Sequence, residues 1–203
     1  GENATISVEV PVNAYGNIAY EVYDKDKNLV YSITQSCLEE LVVPNLGAGK
    51  YIVTGTYEGD SYYSNDSIIN SSEIFVNTKG VDLNITVSNI TYGENATVYI
   101  ESNVDGGYIV YVGNEQMIVN VINGAGNVSV PNLSAKIYVA NVTIIDSNYS
   151  AFNETVFEVS PKSVSVVVSV EDIVFGETAT VLVNGEVDGK YLVEIDNQNY
   201  TVN

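Results

Sequence analysis

Apolar and polar residues alternate along most of this chain with a period of two, which is the pattern of strands that bury one face. Between residues 95 and 102, for example, Ala96, Val98 and Ile100 share one face, and mostly polar residues occupy the other. The alternation predicts strands at 81–88, 95–102, 107–113, 116–121, 124–130, 136–145 and 151–160. Only residues 37–41 could form a helical turn. Seven short strands separated by Gly, Asn and Asp predict an all-β fold, an antiparallel sandwich.

This pattern occurs three times. A Gly-Glu-Asn/Thr-Ala-Thr-Ile/Val segment begins at Gly1, Gly93 and Gly176, at intervals of 92 and 83 residues. The segment Val-Pro-Asn-Leu at 43–46 likewise returns at 130–133. Repeats of this length predict tandem domains: domain 1 at 1–79, domain 2 at 80–161 and a partial domain 3 at 162–203. Domain 1 has no strand ahead of its Gly-Glu segment. Its missing strand comes either from residues outside this sequence or from another chain.

Two tyrosines and several short motifs carry a resemblance to a known family. Tyr51 and Tyr138 each close a Leu-x4-Tyr spacing at the same place in the repeat, which resembles the tyrosine corner of immunoglobulin-like folds. The matching motifs are Tyr-Gly-Glu-x-Ala-Thr-Val at 92–98, Val-Pro-Asn-Leu at 43–46, Gly-x-Tyr-x-Val-x-Gly-x-Tyr at 49–57 and Gly-Asp-x-x-Tyr at 59–63. With them the chain resembles bacterial and archaeal Ig-like repeat domains, most of all those of methanogen adhesin-like proteins. The resemblance implies tandem immunoglobulin-like β-sandwich domains, an archaeal source and an extracellular, cell-surface location.

Charge and composition argue against several functions. The chain has 26 acidic and 7 basic residues, and its formal net charge is −19. This charge repels phosphate backbones, so no nucleic-acid partner is expected. No apolar run is long enough to insert into a membrane. The absence of His removes the commonest general base and every Ser-His-Asp triad. We therefore expect no enzyme activity, no catalytic residue and no cofactor. Cys37 is the single cysteine, so an intrachain disulfide cannot form.

Asn-x-Ser/Thr sequons are the strongest chemical signal in the sequence. They take 12 of the 24 asparagines, about three times the number that the Ser and Thr content gives by chance. The N-glycosylation candidates are Asn3, Asn65, Asn70, Asn84, Asn89, Asn95, Asn127, Asn132, Asn141, Asn148, Asn153 and Asn199. Because a sequon needs an accessible asparagine, these positions predict a surface glycoprotein. The alternative is that Asn and Thr are simply favoured on polar β-surfaces.

A weaker pattern concerns calcium. Asp24, Asp26 and Asn28 have the Asp-x-Asp-x-Asn spacing that opens a calcium loop, but Leu29 and Gln35 replace the Gly and Glu that such a loop needs. An exposed hairpin tip is the simpler interpretation of the same residues. Acidic residues near the domain junctions are a second set of calcium candidates: Glu2, Asp82, Glu94, Asp105 and Glu177.

Loop tyrosines beside acidic residues suggest a ligand surface. The candidates are Tyr57, Tyr62, Tyr63 and Tyr149, beside Asp60 and Asp146. Aromatic rings with polar neighbours can stack on sugars, whereas packing over the end of a sandwich explains the same rings without a ligand.

Taken together, the residues and the resemblance predict a non-catalytic stalk or spacer of Ig-like modules in an adhesin-like protein involved in cell adhesion. Its expected neighbours are further Ig-like modules. In one alternative the modules themselves bind a glycan or protein on another cell. In another they form part of a surface-layer or wall structural array.

Overall fold

The computed structural model describes residues 3–202, apart from the side chains of residues 66–70. Every regular element in that range is a β-strand. The first unit, residues 3–76, contains β1 (Ala4–Ile6), β2 (Asn17–Asp24), β3 (Leu29–Ser36), β4 (Leu41–Val43), β5 (Gly49–Tyr57) and β6 (Asp66–Val76). The fold thus confirms the prediction of an all-β chain built mainly from antiparallel sheets. No stretch of residues 3–202 forms a helix that could cross a bilayer.

The second unit, residues 79–160, has two larger sheets that share one core and a short two-stranded sheet, β15-β7. Its strands are β7 (Lys79–Gly80), β8 (Leu83–Val87), β9 (Ile90–Thr91), β10 (Ala96–Ser102), β11 (Gly106–Val112), β12 (Glu115–Val121), β13 (Ala125–Val130), β14 (Lys136–Ile144), β15 (Tyr149–Ser150) and β16 (Phe152–Ser160). One sheet has the order β13-β10-β8 and the other β12-β11-β14-β16-β9. Alternate residues of β10 and β11 point between the sheets, so Ile100 and Tyr108 are fully buried there. This sandwich-like pairing follows from the period of two, because a one-residue slip would turn every buried side chain outward.

The first unit repeats this register with fewer strands. A four-stranded sheet of order β3-β2-β5-β6 faces the two-stranded sheet β1-β4. The pair Ala4↔Val43 corresponds to Ala96↔Val130 of the second unit. Residues 7–10 form no strand, although the matching residues 99–102 of the second unit continue β10 and pair with β8.

The third unit, residues 166–202, contains only two strand pairs. These are β17 (Val166–Val170) with β18 (Val181–Gly185), and β19 (Tyr191–Ile195) with β20 (Gln198–Val202). None of the described residues in 161–202 is buried. This unit therefore has two ribbons and no core of its own within the described range.

The seven strands predicted for the second unit match the observed ones to within two residues at each end. The prediction missed β7, β9 and β15, which are two residues long and carry no periodicity. Two of them form a parallel pair, in which Lys79 and Gly80, at the predicted boundary between domains 1 and 2, lie beside Tyr149 and Ser150. Residues 37–41 contain a turn, not a helix.

Candidate functional site

Asp60 organises a group of tyrosines at one end of the first unit. Gly59 precedes it with a φ of 88°, a conformation that favours glycine, and a Cβ there would lie 2.6 Å from the Asn65 backbone nitrogen. One carboxylate oxygen of Asp60 accepts the Tyr62 and Tyr63 amides at 2.7 and 2.8 Å. The other accepts the Tyr15 amide at 3.0 Å and the Tyr57 hydroxyl. The Asp60 cluster is hereafter Asp60 with Tyr15, Tyr57, Tyr62 and Tyr63.

These bonds stabilise the ionised carboxylate. Partial desolvation by itself raises the pKa of Asp60, but the Tyr57 hydroxyl and the three amides outweigh it and hold that pKa well below its usual range. Desolvation and the bond to Asp60 together raise the pKa of Tyr57. Because four donors already occupy the Asp60 oxygens, this carboxylate serves as a loop anchor, and little of it is left to act as a base.

The aromatic rings of the Asp60 cluster form an exposed surface. Tyr15 and Tyr62 meet edge to face, with ring centroids 5.9 Å apart and an interplanar angle of 88°. The side chain of Tyr62 is 73% exposed. The structure thus brings together Tyr57, Tyr62, Tyr63 and Asp60, as the sequence grouped them, and adds Tyr15, which sequence reasoning missed because it lies 45 residues from Asp60.

The remaining members of that predicted group lie elsewhere. Tyr149 is half-buried against the core of the second unit. The Asp146 carboxylate accepts the Asn148 amide at 2.8 Å, closing its own turn. These residues belong to a turn of the second unit and do not extend the aromatic surface of the first.

The two predicted corner tyrosines bond to residues four positions upstream. The Tyr51 hydroxyl donates to the Gly47 carbonyl at 3.0 Å. The Tyr138 hydroxyl instead accepts the Ser134 amide at 3.1 Å, and its ring stacks on Phe157 with centroids 5.6 Å apart. Both rings therefore fasten the loop that precedes their strand.

A second set of such tyrosines was not predicted. The Tyr108 hydroxyl donates to the Val104 carbonyl at 2.8 Å, and Tyr191 donates to Val187 in the same way. The repeat Val-Asp-Gly-x-Tyr at 104–108 and 187–191 carried this signal. In the first unit Ile18 occupies the place of Tyr108.

The predicted calcium loop forms a hairpin turn. Asp24 accepts the Asp26 and Asn28 amides at 2.8 and 2.9 Å, and its second oxygen accepts the Asn28 side-chain amide at 2.9 Å. Lys25 pairs with Asp26 at 2.7 Å. The bonds to Asn28 and Asp26 lower the pKa of Asp24. The donors of the turn thus take the oxygens that a cation would need.

The described acidic residues near the junctions also accept hydrogen bonds from groups of the protein. Glu94 accepts the Thr91 amide at 2.7 Å, and Glu177 accepts the Val174 amide at 3.0 Å. Asp105 accepts the Gly124 and Asn123 amides, which lower its pKa. Asp82 accepts the side-chain amide of Asn103 at 3.1 Å, and Glu2 lies outside the described residues. Within residues 3–202, no three His, Cys, Asp or Glu side chains are grouped in a way that could hold a metal ion.

Most sequon asparagines lie on the exposed surface. These are Asn3, Asn65, Asn84, Asn89, Asn95, Asn127, Asn132, Asn148 and Asn199. Asn141 and Asn153 are half-buried. Asn153 uses its side-chain amide, the group that a glycan would modify, to donate to the Leu83 carbonyl at 2.7 Å. The side chain of Asn70 is not among those described. Asn141 lies on the face of β14 that points away from the core, and its buried side-chain oxygen has no hydrogen-bond partner among the described atoms.

Comparison with solved structures finds 52 matching chains, and one of them is a phage capsid protein. The three N-terminal domains of the highly immunogenic outer capsid protein (Hoc) of bacteriophage RB49 share 13% identity with this chain, at a TM-score of 0.27. The match covers 100% of this chain and 74% of the other. A TM-score this low carries no argument about function. No protein-family model matches the chain, and no curated protein matches it.

Proposed function

We propose that this chain is a non-catalytic spacer made of tandem Ig-like sandwich modules, in an adhesin-like protein on the outside of a cell. The observation that best supports this is the serial repetition of one register. Ala4↔Val43 and Ala96↔Val130 are equivalent pairs, and the residues around each pair bury a separate apolar cluster. Units that each bury their own core and follow one another along the chain can hold the two ends of a protein apart, which is what a spacer does.

Contacts between the first two units support a spacer of limited flexibility. The amide of Ala48 in the first unit donates to the side-chain oxygen of Asn148 in the second at 2.8 Å. The connecting residues Lys79–Gly80 pair in parallel with Tyr149–Ser150. The linker and the loop ahead of β5 thus contact the same turn of the second unit, and two attachments restrict rotation more than one.

Charge and sequons support an exposed location. A net charge of −19 keeps neighbouring molecules apart and favours solubility. Exposed sequon asparagines occur in all three units, among them Asn65, Asn127 and Asn199. Such positions are accessible to a glycosylation enzyme, and the attached sugars would further shield the spacer.

Small-angle X-ray scattering of the full chain tests the spacer. We expect a radius of gyration well above the roughly 17 Å of a compact domain of this length. Asn148→Ala should broaden the distribution of intramolecular distances, whereas Asn127→Ala, an exposed sequon on β13, should leave it unchanged. A compact particle would contradict the proposal.

The surface location has its own test. Mass spectrometry of the protein from its native cells should find sugars on several exposed sequons, and protease added to intact cells should cleave it. Unmodified asparagines together with full protection from protease would contradict a surface glycoprotein.

The Asp60 cluster supports a second candidate, glycan binding by the first unit. The specific observation is the exposed pair of Tyr15 and Tyr62 held in place by the anchored loop. Titration with oligosaccharides, followed by NMR, should shift signals around Tyr62 first. Tyr62→Ala should abolish these shifts, whereas Tyr99→Ala, which changes an exposed tyrosine of β10, should preserve them. Unchanged spectra with neutral and acidic oligosaccharides would exclude this candidate.

A further inference from the structure

The larger sheet of the second unit carries apolar side chains on the face that points away from the core. Six of these side chains lie on β11, β12, β14 and β16 and are hereafter the apolar face: Ile109, Tyr111, Ile118, Val139, Phe152 and Val156. All of them except Ile109 are exposed, and Ile118 and Phe152 are 67% and 65% exposed. The second unit thus leaves one face of a complete sheet uncovered.

The size and the charge of the apolar face bear on what covers it. Because strands lie about 4.8 Å apart and a strand rises about 3.4 Å per residue, four strands and three rows of side chains cover roughly 400 Å². This area is about half of what each partner buries in a stable protein complex. A second copy of this chain is further disfavoured, since two chains of net charge −19 repel each other. A smaller cover than a protein therefore suits this face.

Asn141 lies at the centre of the apolar face. Tyr111 is opposite it on one neighbouring strand and Glu154 is opposite it on the other. Along β14 itself, Val139 and Thr143 flank it on the same face. Residues 141–143 are a sequon, Asn-Val-Thr. The Asn141 side-chain oxygen is buried without a hydrogen-bond partner among the described atoms, and such an acceptor costs free energy until a donor reaches it.

The first unit has the same face without a sequon. Thr54 takes the place of Asn141, because it follows the corner residue Tyr51 as Asn141 follows Tyr138. Val139 keeps an apolar counterpart in Ile52. At the positions of Ile109, Tyr111, Ile118 and Val156, however, the first unit has Ala19, Glu21, Thr34 and Glu73. Large apolar side chains thus surround the position that carries a sequon, whereas small or polar ones surround its counterpart.

We propose that an N-linked oligosaccharide on Asn141 packs over the apolar face and shields it from water. The proposal rests on the surface location proposed above and adds a structural role for one sequon. Opposed residues of neighbouring strands have Cβ atoms about 5 Å apart, so the first sugar lies beside the Tyr111 ring, on which its C–H groups pack. Its polar groups can donate to the Asn141 oxygen and to the Glu154 carboxylate.

The attachment is a glycosyl transfer from a glycosyl phosphate donor, catalysed by a transferase of the cell. Nδ2 of Asn141 bonds to the anomeric carbon, the bond from that carbon to the phosphate oxygen breaks, and the phosphate leaves with the electron pair. The amide nitrogen gives up one proton to a base of the transferase. In the folded sheet Val142 is buried, and the Thr143 hydroxyl donates to the Ala151 carbonyl at 2.9 Å. The transfer therefore precedes the pairing of β14, and the sugar is present when the sheet forms.

Mass spectrometry of the protein from its native cells tests the attachment. We expect a sugar on Asn141. A bare Asn141 would overturn the inference. Sugars on Asn65 and Asn127 together with a bare Asn141 would leave the surface glycoprotein intact, so the two failures can be told apart.

Hydrogen exchange of the β14 amides tests the packing. In protein from native cells, Asn141→Gln removes the sequon and should accelerate this exchange about fivefold. In protein from a host that attaches no sugars, the same substitution should leave the exchange nearly unchanged. Asn127→Gln, which removes an exposed sequon on β13, is the matched control and should have no effect on β14 in either protein. Equal acceleration in both proteins, or none in the glycosylated one, would overturn the inference.

Tyr111→Ala locates the sugar on the face. It should accelerate exchange of the β14 amides more in the glycosylated protein than in the sugar-free one, because only the former loses a contact with the sugar. Equal acceleration would place the sugar elsewhere and contradict the proposal. Analytical ultracentrifugation checks the other cover. A dimer of the glycosylated protein that Tyr111→Ala dissociates would assign the face to a second copy and would also overturn the inference.

Discussion

The first and second units share a strand register, but only the second closes its core. Ile100 of the second unit is 1% exposed, whereas Val8, at the same register position of the first, is 41% exposed. The alternation Ile-Ser-Val-Glu-Val at 6–10 is as regular as that of β10, yet residues 7–10 form no strand. What differs is the neighbour, because β10 lies between β13 and β8 whereas β1 has β4 on one side only. The pairing of β1 with β4 ends at Ile6, so residues 7–10 have no paired neighbour, and their alternation alone does not make them a strand.

In the larger sheet of each unit, one equivalent cross-strand pair is built from side chains of different sizes. Tyr20 pairs with Gly55 in the first unit, and Val110 pairs with Val142 at the equivalent position of the second. A Cβ on Gly55 would lie 3.5 Å from the Tyr20 ring. One large and one small residue therefore replace two of medium size, which conserves the packed volume across the pair.

The largest expected effect is the contrast between Ile100→Ala and Val8→Ala. The first removes buried methyl groups from a closed core and should cost about 2–5 kcal/mol of unfolding free energy. The second trims a side chain that is 41% exposed and should cost no more than about 0.5 kcal/mol. Hydrogen exchange resolves each unit separately and is the appropriate measurement, because a chain of several units need not unfold in one step. Equal losses at both positions would mean that the first unit is closed in solution.

Changing the sizes of the paired residues Tyr20 and Gly55 should give the next largest effect. Gly55→Val alone should push against the Tyr20 ring and destabilise the first unit by about 1–3 kcal/mol. Adding Tyr20→Val reproduces the valine pair of the second unit and should recover most of that loss. Hydrogen exchange of core amides of the first unit, measured in the two single variants and the double variant, yields the coupling free energy. Additive effects would show that the two side chains do not share one packing space.

The sequence predicted the strands of the second unit well because each has a buried and an exposed face, so the period of two determines its register. It singled out Tyr51 and Tyr138 as candidate corner tyrosines because their Leu-x4-Tyr spacing is repeated. It missed Tyr15 in the Asp60 cluster, because the bond between them joins residues 45 positions apart. It did not predict the cavity beside residues 6–11, since a cavity depends on where that segment lies against the sheet. Local periodicity specifies strands, whereas anchored loops and cavities arise from contacts between distant segments.

Acid should weaken the first unit through Asp60. Its pKa is lower in the folded chain than the value of about 3.9 in an unfolded one, so the stabilisation is complete above that value. It declines as the pH falls from about 4 toward the folded pKa. Asp60→Asn keeps the shape of the side chain and should remove this pH dependence while lowering the stability of the first unit at neutral pH. The matched control is Asp146→Asn, which makes the same substitution in the corresponding turn of the second unit. Melting curves recorded from neutral to acidic pH measure this effect. If the Asp60→Asn variant kept the full acid sensitivity, Asp60 would not be its source.

Substitution of the corner tyrosines should give the smallest effect, and it compares the same corner in the first and second units. Tyr51→Phe and Tyr138→Phe each remove one hydroxyl and should each cost about 0.5–1.5 kcal/mol. Phe at position 138 keeps the stacking on Phe157, so that change should remain confined to the second unit.

Tyr51→Phe should also act at a distance. It frees the Gly47 carbonyl, next to the Ala48 amide that reaches Asn148 of the second unit. Hydrogen exchange at the Ala48 amide should therefore accelerate in Tyr51→Phe and stay unchanged in Tyr138→Phe. If both variants left that amide equally protected, the corner of the first unit would be independent of its junction with the second. The loop ahead of β5 would then have no part in orienting the two units.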